Sequence, residues 1–180
     1  MKLHTSIQAH LPSTLVTVGV FTYYAVHKKG PNGLLVAGCD STDPPVGKPG
    51  HVDCRFPARP YWLSKAGLDF LDVHIYEADG SAAALSENLA TEEWDKIPKA
   101  VPIVMGEFGC NAHWYANATL CAPHVRELQR SSCARGFTSW LFWTYDSNDV
   151  QPDWYGMVDD NGAIDAVLTP NTHPDPCKSA

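Results

Sequence analysis

A chain of 180 residues that is 44% hydrophobic and 18% charged has apolar mass for one ordinary buried core, which excludes disordered, collagen-like and coiled-coil chains. Its 13 Lys+Arg against 20 Asp+Glu leave a formal charge of -7 with no basic run to follow a phosphate backbone, so nucleic acid is not expected as a partner. A single domain over residues 1–180 is expected.

In chain order, Met1 to Pro12 carries Lys2, His4, Gln8 and His10 and shows no continuous apolar segment of a signal peptide. The stretch Leu15 to Ala25, broken by threonines and Gly19, is too short to cross a membrane, and no membrane partner is expected. Four apolar runs read as buried strands: 15–21, 70–76, 101–106 and 137–145. Residues 28–61, rich in Gly, Pro and Asp and holding Cys39 and Cys54, read as a long disulfide-closed loop. Residues 86–100 and 122–134 carry helical punctuation, the second ending before Gly136. Strands alternating with helices predict βαβ crossovers, hence an α/β chain with a parallel sheet.

Chemistry in such folds collects at the carboxyl ends of the strands. Glu107 follows the run Val101–Gly106 and lies between Gly106 and Gly109 with Phe108, a position where desolvating a carboxylate is costly unless its charge is bonded or used. Those glycines would permit a tight bend and close approach by substrate or backbone. His74 and Tyr76 share one strand face, so the tyrosine hydroxyl can orient a carboxylate while the histidine bonds a sugar hydroxyl. Trp140 and Trp143 are three residues apart and cannot both point inward; Trp143, nearer the carboxyl end, is the candidate stacking ring, and Trp140 the core residue. Trp62, Trp94, Trp114 and Trp154 read first as packing residues, with further sugar platforms as the alternative.

Six cysteines in no Cys-x-x-Cys pair favour disulfides over zinc; proximity pairs Cys39 with Cys54 and Cys110 with Cys121, leaving Cys133 and Cys177. The Asn117-Ala118-Thr119 sequon makes Asn117 a candidate glycosylation site and agrees with an extracellular protein. Metalloprotease, nucleotide-binding and serine-hydrolase motifs are absent from the sequence, and no cofactor or metal is expected. The acidic tract Asp146, Asp149, Asp153, Asp159, Asp160 and Asp165 reads as solvated surface, with weak calcium binding as the alternative.

From about Leu15 to Asp146 these pieces resemble, in order, the C-terminal half of the cellulase-like glycoside hydrolases of family five, which are (β/α)8 (TIM) barrels. Leu15-Val-Thr-Val-Gly19 resembles barrel strand five, and Phe70-Leu-Asp-Val-His-Ile-Tyr76 strand six with its pocket His and Tyr. Pro102-Ile-Val-Met-Gly-Glu-Phe-Gly109 resembles strand seven, and Gly136-Phe-Thr-Ser-Trp-Leu-Phe-Trp143 strand eight with its stacking Trp. The resemblance implies a partial TIM barrel of about strands five to eight, and a retaining glycosidase of β-linked glucan or a related polysaccharide with Glu107 as nucleophile and His74, Tyr76 and Trp143 binding substrate.

The family's general acid/base is a Glu following Asn at the end of strand four, about 5–5.5 Å from the nucleophile. No Asn-Glu dipeptide occurs in this sequence, and Glu77 would point off the face shared by His74 and Tyr76. The expectation is therefore a fragment that lacks the acid/base half, with only traces of turnover by itself and self-association through an open barrel edge. Two other functions fit the same residues: a carbohydrate-binding protein without hydrolysis, and a secreted structural protein.

Overall fold

The computed structural model describes residues 2–21, 60–76, 96–169, 171 and 175–178. Among them the chain runs α1 (Lys2–His10), β1 (Gly19–Phe21), α2 (Pro60–Leu63), β2 (Leu71–His74), β3 (Ile103–Asn111), α3 (Ala118–Cys133), β4 (Phe137–Trp143), β5 (Trp154–Tyr155) and α4 (Asp159–Leu168). Strands β1 to β4 lie side by side in sequence order, every neighbouring pair parallel, and the short β5 pairs antiparallel with the end of β3. The molecule is thus a parallel sheet with helices, as strand–helix alternation predicts.

The sheet has one covered and one open face. Leu71, Val73 and Ile75 point into the core with Ile103, Met105, Phe108, Cys110 and Phe137. Against them pack Ala118, Cys121, Ala122, Val125 and Leu128, repeating at three and four residues along α3, and Ile164 and Leu168 of α4. On the other face Leu141 is 60% and Trp143 39% exposed. The expectation that all four runs are buried strands is corrected for the first run, in which Leu15 and Val18 are exposed, and for β4. Its residues alternate toward a face that no described element covers.

Several boundaries also differ from those read off the sequence. The first strand begins at Gly19 rather than Leu15, because the preceding residues spend their polar groups on the loop before β2. Val16 N–H donates to Asp69 Oδ2 at 2.7 Å, Asp69 N–H to Val16 O at 3.0 Å, and the Thr17 hydroxyl to Phe70 O at 2.8 Å. The third strand runs past Gly106 to Asn111, so Glu107 lies inside it rather than after it. Helix α3 begins four residues before Ala122, since Asn117 Oδ1 caps it by accepting the Leu120 N–H at 2.9 Å. Pro123 is carried inside that helix on an exposed position. Gly136, at φ +85°, turns the chain from α3 into β4 in a conformation that a Cβ disfavours.

Residues 28–59 of the expected long loop lie outside the described residues, and its end, Pro60 and Tyr61, opens α2 instead. Of the helix expected over 86–100, residues 86–95 lie outside the described residues, and 98–101 form a turn closed by Val101 N–H on Pro98 O at 2.9 Å.

The Cys110–Cys121 disulfide ties β3 to α3 with Cα atoms 6.0 Å apart, and Cys133–Cys177 ties the end of α3 to the C-terminal segment at 5.3 Å. The expected Cys39–Cys54 pair lies outside the described residues. The acidic tract is not only solvated surface, contrary to expectation. Asp159 Oδ2 accepts from Asn148 N–H and Gly156 N–H, each at 2.8 Å, and Asp160 Oδ2 accepts from Thr119 N–H at 2.8 Å. These bonds close the loop after β4 and bind it to α3. The left-handed φ values of Asp160, Asn161 and Gly162 at the start of α4 fall on the residue types that tolerate them.

Asn117 therefore carries a cap whether or not it carries a glycan. In unglycosylated protein, Asn117→Ala is expected to lower the urea-unfolding free energy by about 1 kcal/mol. Asn117→Asp, which keeps the acceptor and removes the sequon, should leave it near wild type; equal losses in both variants would refute the cap.

Candidate active site

A one-residue bulge in β3 builds the site. Against β2 the register steps from Val73↔Met105 to His74↔Glu107, and against β4 from Met105↔Trp140 to Phe108↔Phe142. Met105 and Phe108 are both buried on the covered face, so the extra residue between them leaves Gly106 and Glu107 on the open side. Ile75 N–H donates to Glu107 O at 2.9 Å and pins the bulge.

Opposite the bulge, Asp72, His74 and Tyr76 alternate with the buried Leu71, Val73 and Ile75 and present one polar face. The Tyr76 hydroxyl donates to Glu107 Oε2 at 2.6 Å. His74 Nδ1 lies 3.2 Å from the same oxygen, with the imidazole 14% and the carboxylate 28% exposed. The other ring nitrogen, Nε2, faces Asp72 Oδ1 at 3.6 Å. Both His74 nitrogens thus face protein carboxylates, not open solvent. Burial, together with the hydrogen bond to Glu107, pushes the Tyr76 hydroxyl well above the usual tyrosine range. Burial also raises the Asp72 carboxyl, with the nearby Glu107 charge adding to it and His74 opposing it.

Trp143 stands one strand over, paired in register with Gly109 and partly exposed, while Trp140 faces the helices and donates from Nε1 to Ser132 Oγ at 2.7 Å. The two rings divide between the faces as their odd spacing requires. Gly106 and Gly109 have no positive φ, so neither makes the tight bend expected of them. Their role is clearance. A Cβ on Gly106 would overlap the Asp72 carboxylate, and one on Gly109 would overlap the Trp143 carbonyl and meet the Trp154 ring at 3.2 Å.

Two residues of this cluster are absent from the sequence-based candidates. Asp72 sits in an apolar run, yet its period-two spacing with His74 and Tyr76 was a usable sign. Trp154 packs on Tyr76 with ring centroids 4.8 Å apart, brought there by the β5–β3 pairing. Local sequence carries no sign of that contact. Glu77 lies outside the described residues.

Among the described residues no group of three His, Cys, Asp or Glu side chains is arranged to hold a metal ion. A cavity of about 590 Å³ lies at the opposite strand ends, between Val101, Ile103, Arg135 and Thr138, and brings no such converging groups together. Comparison of the chain with protein-family models, with curated proteins and with solved structures returns no match.

The folded chain holds the Tyr76 proton at a pH where the unfolded chain releases it. Its contribution to stability is fully present below the ordinary tyrosine value near 10 and is lost as pH rises above it. Denaturant unfolding of wild type and Tyr76→Phe between about pH 9 and 11 should show a shallower decline in the variant, by up to about 1.4 kcal/mol per pH unit. Identical slopes would count against the buried hydroxyl.

Proposed function

We propose that this chain carries the nucleophile half of a retaining glycoside hydrolase acting on β-linked glucan or a related polysaccharide, and that its four parallel strands correspond to strands five to eight of a (β/α)8 barrel. The observation that carries the reading is the convergence of Tyr76 Oη and His74 Nδ1 on one oxygen of Glu107, Oε2, at 2.6 and 3.2 Å. The tyrosine hydrogen bond orients the carboxylate, the imidazole stands beside the same oxygen, and Oε1 is left to attack an anomeric carbon. The bond to the leaving-group oxygen breaks as the glycosyl ester forms, and water later hydrolyses the ester. Trp143, partly exposed on the open face, offers a ring to a sugar's C–H face. The sequential parallel order of β1 to β4 supports the barrel reading, and two disulfides support an extracellular location. The outer edges of β1 and β4, unpaired among the described residues, support self-association.

A second reading, sugar binding without hydrolysis, is favoured by the exposed ring of Trp143, which can stack on a sugar whether or not Glu107 reacts. An activated substrate separates the two, because a good leaving group departs without protonation. Incubation with a dinitrophenyl 2-deoxy-2-fluoro-β-glucoside or -mannoside should add one sugar mass to the peptide containing Glu107, and none in Glu107→Gln. Titration with cello- and manno-oligosaccharides should quench Trp fluorescence, with Trp143→Ala binding about tenfold more weakly. Saturable binding without an adduct selects the binding protein. Loss of both responses selects a disulfide-stabilised structural protein without a sugar ligand.

A further inference from the structure

The triplet Asn117-Ala118-Thr119 opens α3, away from Glu107 and its neighbours. Asn117 is half-buried in extended backbone, and its Oδ1 accepts the Leu120 N–H at 2.9 Å. Its Nδ2 makes no hydrogen bond among the described residues, and Ala116, Thr119 and Leu120 beside it are exposed, so a bulky group on that nitrogen has solvent to enter. The rest of the triplet is held by the fold. Ala118 is 0% exposed in the core between sheet and helices. Thr119 donates twice to Asp160 Oδ2, from its N–H at 2.8 Å and from its hydroxyl at 3.1 Å. The Cys110–Cys121 disulfide encloses all three residues in its loop. An oligosaccharyltransferase has to bind such a triplet, the hydroxyl of its third residue included, while it delivers a sugar to the first. In the folded chain that hydroxyl is given to Asp160 and the middle residue faces the core, so the folded chain is a poor substrate.

We infer that Asn117 is an N-glycosylation site modified before α3 and α4 close around it, and that the glycan then extends from Nδ2 of an intact helix cap. The donor is an oligosaccharide carried on a lipid pyrophosphate. The bond from its anomeric carbon to the pyrophosphate oxygen breaks as Nδ2 bonds to that carbon. The lipid pyrophosphate leaves with the electron pair, and Nδ2 gives up one of its two protons. The carbonyl Oδ1 is unchanged, so it still accepts from Leu120 and α3 keeps its cap after modification. Closure of Thr119 onto Asp160 and of Cys110 onto Cys121 then ends the period in which the triplet can be modified.

This inference is independent of the glycosidase reading and rests on the extracellular location. The test sets location aside by directing the full chain into the secretory pathway of a glycosylating cell. The secreted wild type should carry a glycan on the peptide containing Asn117, released by peptide N-glycosidase with conversion of Asn117 to Asp, and the Asn117→Asp variant should carry none there. Wild type secreted without a glycan at Asn117 would overturn the site. The order of events is tested on unglycosylated chain with a purified oligosaccharyltransferase and a lipid-pyrophosphate oligosaccharide. The reduced, alkylated chain should be modified, and the folded, disulfide-bonded chain at least about tenfold more slowly, because only locally opened molecules present the triplet. Equal rates would overturn the closure. The cap is read from urea unfolding, where the glycosylated protein should match or exceed the midpoint of the unglycosylated protein. A midpoint lowered to that of Asn117→Ala would show that glycan and cap exclude each other.

Discussion

The geometry of the site depends on one packing constraint, that Met105 and Phe108 must both reach the core beneath the sheet. Three residues apart on one strand, they cannot do so in a regular ladder, which returns to the same face every second residue. The strand absorbs the mismatch as a bulge, and the residues inside it, Gly106 and Glu107, emerge together on the open face. Phe108 is clamped by an edge-to-face contact with Phe142, ring centroids 5.5 Å apart, so the bulge cannot slide without losing buried aromatic area. A carboxylate is thus held in place by the hydrophobic residues on either side of it.

The same division of faces explains the rest of the molecule. Apolar side chains of β2, β3 and β4 meet α3 and α4 on the covered side, and the disulfide from Cys110 to Cys121 fastens the end of β3 to the first turn of α3. The loop after β4 then folds back over the strand ends. Asp159 and Asp160 supply acceptors to backbone N–H groups of that loop and of α3, and Trp154 comes to rest on Tyr76. An acidic stretch that looks like plain surface in the sequence supplies acceptors to the fold, because Asp159 closes its own loop on Gly156 and Asn148 and Asp160 reaches Thr119 of α3.

On the open face, neighbours are chosen by what they leave out as much as by what they bring. Gly19, Gly106 and Gly109 face Asp72, His74, Trp143 and Trp154, and a methyl group at any of the three would collide with or crowd one of these residues. The polar face of β2 is therefore built by three strands, although its ionisable side chains come from β2 and β3 alone.

Much of this was available from the sequence. Alternating strand and helix segments determined a parallel sheet; the two-residue period placed His74 beside Tyr76; the odd spacing of Trp140 and Trp143 sent them to opposite faces; and nearness along the chain paired Cys110 with Cys121. These are local facts, set by backbone periodicity and chain length. The bulge that turns Glu107 toward Tyr76, the enclosure of Asp72 beside His74, the packing of Trp154 on Tyr76 and the bond from Thr119 to Asp160 were decided only in the tertiary structure. Each depends on the register between strands or on the return of a distant loop. Those are settled by which apolar residues must be buried together, and no short window of sequence contains that competition.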